Sequence, residues 1–170
     1  MLDQSPGEAD LVVLSERITN SPAFGTLFRE GMDLVEETAA YLDGAGRIEA
    51  KVLERSVSLT YATESMRLTT RLMQLASWLL LHRAVKEGEM TLNQANREKT
   101  KVKLTAADPG ADDMISKLPE RLQELVTRSM ALQTKVRRLD ATIHAQPGNH
   151  VSIGNPLVPQ MNMLKAAFER

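Results

Sequence analysis

The sequence predicts an all-α fold: an elongated up-down-up three-helix bundle, with a short extra helix between the second and third long helices and flexible tails at both ends. Three observations lead there. Apolar residues recur at steps of three and four over long stretches free of Pro and Gly, the spacing that lines one face of a helix. Turns containing glycine or proline punctuate the chain at 43–46, 88, 105–113 and 146–148. No stretch alternates apolar and polar residues in the manner of a half-buried strand. The expected organisation is a tail over 1–20, the bundle over 21–145 and a second tail over 146–170.

Residues 1–20 are acidic and polar apart from Leu11, Val12, Val13 and Leu14, a patch through which this tail could dock. Ser21-Pro22 opens helix one, with Ser as N-cap and Pro at the first helical position, where its missing N–H costs nothing. Phe24, Leu27, Phe28, Gly31, Leu34, Val35, Thr38, Tyr41 and Leu42 line its inner face. Asp43-Gly44-Ala45-Gly46 carries a Gly-x-Gly pair, but a phosphate loop needs such glycines between a strand and a helix. Here they follow a helix and read as a helix–helix turn. Helix two is expected from about Arg47 to Lys86, uninterrupted by Pro or Gly and stopped at Gly88. At about 60 Å it would be twice as long as helix one, which would then cover only its N-terminal half.

Thr91-Leu92-Asn93-Gln94 fits a capping box, and a short basic helix with Arg97, Lys99, Lys101 and Lys103 should follow to about Leu104. Residues 105–113 read as a linker. Helix three begins near Leu118-Pro119. Leu118, Leu122, Leu125, Ser129, Leu132, Val136, Leu139 and Ile143 alternate steps of four and three, the seam of a bundle helix, and Gln146-Pro147-Gly148 closes it.

The richest stretch is 61–91, YATESMRLTTRLMQLASWLLLHRAVKEGEMT. At 100° per residue, Ala62, Met66, Met73, Ala76, Leu80 and Ala84 share one face. Leu68, Leu72, Leu75 and Leu79 fall roughly opposite, with Trp78, Leu81 and Val85 between them. A helix apolar all round is buried by several neighbours. Two companions are too few between Leu72 and Val85, so the short basic helix, the tails or a second copy must close the remainder. A symmetric homodimer is the favoured solution. The expected protein-contact residues are Arg71, Leu72, Leu75, Trp78, Leu79 and His82 on this helix, Arg97 and Lys101 on the basic helix, and Leu164 and Phe168 in the C-terminal tail.

Composition narrows the function. The unbroken apolar run from Leu75 to Leu81 is far short of the ~20 residues a membrane span needs. The opening MLDQSPGEAD lacks the basic-then-apolar pattern of a secretory leader. There is no Cys among the 170 residues, which excludes disulfides and thiolate chemistry and suits a reducing cytoplasm. Nine acids against two arginines leave −7 over residues 1–43, so the remainder carries +6 of the net −1. That is a weak dipole and not the strongly basic stripe of a nucleic-acid binder.

The search for chemistry returns little. His82, His144 and His150 show no metal-pair spacing, and HExxH, GxSxG, Walker and CxxC patterns are absent. His82 reads as a packed imidazole and His144 as a cation suited to a helix C-terminus. A polar cluster of Glu64, Arg67, Thr70 and Arg71, with Glu36 and Glu37 across from it, reads as a register-setting or interface feature. The segment Arg97–Lys103 lacks the aromatics for base stacking and reads as a solvated face or an electrostatic dock for an acidic partner. No catalytic residue, metal or cofactor is expected.

FREGMDLVEETAAYLDGAGR (28–47) and the 61–91 stretch closely resemble the RcdA family, the regulators of CtrA degradation of alphaproteobacteria. The likeness is dense over about 28–104 and weaker through helix three. It implies a non-enzymatic three-helix-bundle adaptor that dimerises, resides in the cytoplasm and can be recruited to a cell pole. Such adaptors help the ClpXP protease, primed by the response-regulator-like protein CpdR, to degrade cell-cycle regulators such as CtrA, partly through the cyclic-di-GMP-binding protein PopA. The family offers no catalytic residues to transfer, and the contact residues above come from the helix pattern alone. The tail, with PLVP at 156–159 and MLKAAFER at 163–170, is where a member departs most. Two other classes stay open: a dimeric helical scaffold with no protease role, and a DNA-associated regulator whose basic helix meets phosphates.

Overall fold

The computed structural model describes residues 16–101 and 112–144, which are helical with short connections. In chain order they form α1 (Pro22–Asp43), α2 (Ala45–Lys51), α3 (Arg55–Lys86), α4 (Leu92–Lys101), α5 (Asp112–Ile115) and α6 (Glu120–His144). The three long helices α1, α3 and α6 pack against one another around one core.

Local signals act as expected. Ser21 Oγ accepts the Phe24 N–H at 3.3 Å, Pro22 starts α1, and the Gly44 N–H closes it on the Tyr41 carbonyl. Phe24, Leu27, Gly31, Leu34, Thr38 and Tyr41 are its buried face. Thr91 and Gln94 cap α4 reciprocally: the Gln94 N–H donates to Thr91 Oγ1 at 3.2 Å and the Thr91 N–H to Gln94 Oε1 at 2.9 Å. Gly88, at φ +74°, ends the turn after α3, a backbone state that favours a residue without Cβ. The α6 stripe from Leu118 to Ile143 is buried throughout, apart from a half-buried Leu139.

Two expectations fail. The forty-residue rod is broken at Val52-Leu53-Glu54, where Val52 and Leu53 donate three residues back and Glu54 turns extended. The cause lies in the turn before it. Tyr41 Oη–H donates to Glu49 Oε2 at 2.7 Å, tying α2 down onto α1. Tyr61 lies across Gly46 so closely that a Cβ there would be 2.5 Å from its hydroxyl oxygen. In one straight helix Gly46 and Tyr61 would stand about 22 Å apart, so the chain has to fold back between them. Without the extra length, α1 reaches most of α3 instead of its first half: Phe24 packs on Trp78 with ring centroids 6.4 Å apart, and Arg83 sits over the Phe28 ring.

The second failure is topology. Glu30 pairs with Lys135 and Glu37 with Arg128 and Arg121, so α1 and α6 run antiparallel. Arg71 Nη1–H donates to Ser129 Oγ at 2.8 Å and Trp78 Nε1–H to Asp140 Oδ1 at 2.9 Å, so α3 and α6 run parallel. The bundle is up-down-down, not up-down-up. A parallel pair needs a long connection between α3 and α6, and the described helices within it, α4 and α5, both pack on α3. Hydrophobic periodicity fixes which face of a helix is buried but carries no information about its direction.

Candidate functional site

The buried half of α3 is a Leu-rich ridge, with Leu68, Leu72, Leu75, Trp78 and Leu79 set among Leu34, Leu122, Leu125, Leu132 and Val136. This corrects the expected contact surface. Arg71, Leu72, Leu75, Trp78, Leu79 and His82 are all buried within one chain. α1 and α6 cover more of the rod than two companions were credited with, because the break at 52–54 shortens it and α4 takes the remaining flank. Arg97 is exposed on α4. Leu164 and Phe168, and the side chain of Lys101, lie outside the described residues.

What α3 leaves open is the opposite side. Leu59, Met66, Met73 and Leu80 recur every seventh residue and are 71%, 71%, 66% and 51% exposed. Ala62 and Thr69 are also exposed there, and Ala76 is half-buried. From Ser56 to Leu80 the only charged side chain that reaches solvent is Arg67, itself paired with the buried Glu64. The hydroxyls of this region turn inward: Thr60, Thr63, Thr69 and Ser77 donate to the carbonyl four residues back at 2.8–3.2 Å. A helix face facing only water normally carries charge. This one offers methyls, thioethers and hydroxyls already satisfied by their own backbone.

The stripe has relief. A small apolar groove of about 180 Å³ runs between α1 and α3, walled by Val35, Ala39 and Leu42 on one side and Thr69, Met73 and Ala76 on the other. A separate open depression lies at the start of α3, beside Leu59 and Ala62 and rimmed by Glu54 and Arg55. Sequence reasoning placed Met66, Met73 and Leu80 on one face but did not choose them as contact residues. The usable signal was the absence of charge along that face.

Among the described residues the polar groups do not converge on one centre. Arg71 sits in the core, its charged form disfavoured by burial, bonded to Ser129. Glu37 turns to α6, where the hydrogen bond from Arg128 holds its carboxyl below the usual range despite some burial; Glu36 and Thr70 face solvent. The predicted cluster therefore splits into a buried layer and a surface ion-pair ladder. At the other end of α3, His82 packs on Trp78 with ring centroids 4.1 Å apart, and burial pulls its pKa down to about 4. Asp140 accepts from Trp78 and from Lys99 Nζ at 2.5 Å. Burial pushes its pKa up, but those two hydrogen bonds outweigh it and hold the carboxyl low. Among the described residues no three His, Cys, Asp or Glu side chains are grouped to hold a metal, and no helix is long and apolar enough to cross a membrane.

Fold and surface together define a helical-bundle protein whose open side is an uncharged helix face. A family model described as "Protein of unknown function (DUF1465)" matches residues 15–168. Among solved structures, the chain is similar to RcdA from Caulobacter crescentus CB15, at 51% identity over 75% of this chain and 95% of that one, with a TM-score of 0.63. The curated proteins contain no match. The chain belongs to the RcdA family, as its 28–47 and 61–91 segments indicate.

Proposed function

We propose that this chain is a non-enzymatic cytoplasmic adaptor that promotes degradation of cell-cycle regulators such as CtrA by the ClpXP protease. In this reading it bridges protease primed by a CpdR-like response regulator to cargo, with a PopA-like cyclic-di-GMP effector as a further partner and recruitment to a cell pole as a consequence. The observation that carries it is the 51% identity spanning 95% of Caulobacter RcdA. The uncharged stripe on α3 supports it: an adaptor needs rigid display surfaces and reversible contacts, and tethering raises the effective concentration of cargo at the protease without any bond being made or broken.

The stripe is also the surface we assign to self-association. Seven-residue spacing of Leu59, Met66, Met73 and Leu80 is the seam of a coiled-coil-like contact, and a two-fold copy would set two such seams together. This moves the expected homodimer contact from Trp78 and Leu79 to the other side of the helix.

The test is reconstitution. Purified ClpXP, a CpdR-like protein and a tagged CtrA-type substrate are combined with and without this chain, and substrate loss is followed. Faster degradation that depends on both the chain and the CpdR-like protein is the expected result. An unchanged rate would leave the scaffold reading in its place, and retention of the chain on DNA with steep salt dependence would favour the DNA-associated one.

A further inference from the structure

α4 is an unusual cover. It is a single ten-residue helix, too short to be stable alone. Ala95 is its one fully buried residue among those described, with Leu92 half-buried beside it. What fastens it is polar. Lys99 Nζ reaches Asp140 Oδ1 at 2.5 Å, and the His144 ring bridges the Asp140 carbonyl on α6 and the Asn96 side chain on α4, 2.8 Å to each. Beneath lie Trp78, whose indole N–H donates to the same Asp140 oxygen, and His82, buried with Nδ1 lacking any hydrogen-bond partner. Lys99, Asp140 and His144 are the charged or titratable groups that act on His82. At one end α4 is joined through Gly88, in the left-handed region.

Trp78, His82 and Asp140 come together beneath α4, and α4 closes over them with Lys99 set on the carboxylate. The carboxylate dictates the occupant. Asp140 is only 19% exposed and takes its countercharge from Lys99; its other neighbours are the Trp78 N–H and the His144 ring on its own side. An occupant that replaces α4 and restores that charge pair therefore brings a cation. We infer that Trp78, His82 and Asp140 form a second, covered docking site, that α4 is its built-in occupant, and that a basic amphipathic helical segment of a partner protein, setting a lysine or arginine on Asp140, displaces it. The partner's being protease machinery or cargo rests on the adaptor reading; the displacement does not.

Trp78 is the only tryptophan in the chain, so the site reports on itself. Lys99→Gln combined with Asn96→Ala should leave α1, α3 and α6 protected in hydrogen exchange while α4 amides exchange about tenfold faster or more. Acrylamide quenching of Trp78 should rise about twofold, and Lys99→Arg should restore both. A helix-stabilised peptide copy of residues 91–101 should bind this opened double variant and shift its Trp78 emission, binding more weakly as salt rises. The same peptide bearing Gln at the Lys99 position should not bind. Unchanged α4 protection in the double variant, loss of protection throughout the bundle, or equal binding of the two peptides would overturn the proposal. Displacement without any effect of the chain on ClpXP would keep the site and discard the adaptor reading.

Discussion

Leu79 and Leu80 are neighbours on α3 and chemically identical, yet one is fully buried and the other half exposed. The same split runs the length of the helix. Its inner side is leucine and aromatic, shaped side chains locked against α1 and α6. Its outer side mixes Leu59 and Leu80 with methionine, alanine, threonine and serine. Both sides read as apolar in the sequence, and only one is core. For the leucines the difference lies in their neighbours; around Leu59 and Leu80 the outer side adds thioethers and small groups, which accept several packings where a branched core specifies one. An outer face of that kind is matched to a contact that forms and dissolves.

The largest effects should therefore come from the inner side. Leu79→Ala is expected to cost about 3–4 kcal/mol, because its cavity would lie between α1, α3 and α6 with nothing free to collapse into it. Leu80→Ala, one position along, should stay within about 0.5 kcal/mol. Urea denaturation of the two variants in parallel measures the contrast. Similar losses at both positions would mean that the two sides of α3 are not distinct.

A pH titration sharpens the same distinction. His82 belongs to the inner side, and burial lowers its pKa from 6.5 to about 4. Below pH 6.5 the unfolded chain takes up a proton there that the folded chain refuses until about pH 4. Stability is thus complete above pH 6.5 and falls as pH drops through that window, by on the order of 3 kcal/mol. Asp140 and Glu37, whose carboxyls are held low, act later, at and below the ordinary carboxylate range. Chemical denaturation at half-unit pH steps should show the early fall in the parent and lose it in His82→Gln. An equal fall in that variant would place the titration elsewhere.

Glycines give a smaller, two-signed contrast. Gly46→Ala must push aside the Tyr61 hydroxyl and the Tyr41 carbonyl, so a cost of about 1–3 kcal/mol is expected. Gly25, on α1 with nothing near its Cβ position, should gain up to about 1 kcal/mol as Ala from helix propensity alone. Thermal melts of the pair decide whether the close approach at Gly46 is what breaks the rod.

These contrasts show what the sequence could carry. The α1 cap at Ser21-Pro22, the Thr91–Gln94 box and the α6 stripe were legible because each is local, written in residues three or four apart. The break at 52–54 was not, since no Pro or Gly marks it and its cause is Tyr61 meeting Gly46. Direction was not legible either: nothing in the spacing of Leu122 to Ile143 says that α6 runs parallel to α3. The burial of Trp78 and His82 depends on Asp140, sixty-two residues from Trp78, and on a lysine of α4. Met66, Met73 and Leu80 were correctly grouped on one face, but which face of an oily helix goes uncovered is decided by its neighbours.

The smallest expected effect on stability is the most informative about function. Met66→Glu together with Met73→Glu adds two charges to a face that holds almost none, at positions about two-thirds exposed or more. Since both carboxylates remain in water, the folded chain should change by less than about 0.5 kcal/mol. A seam with two like charges facing their own copies across a two-fold axis loses its apolar contact and gains repulsion at both positions. Sedimentation of the parent should then show mass rising with concentration toward twice that of one chain, and the double variant should stay at one chain with an unchanged urea midpoint. If the parent were itself a single species of one chain's mass, the uncharged face would have to be reserved for a different protein. If instead the variant stayed paired, the copies would meet on another surface.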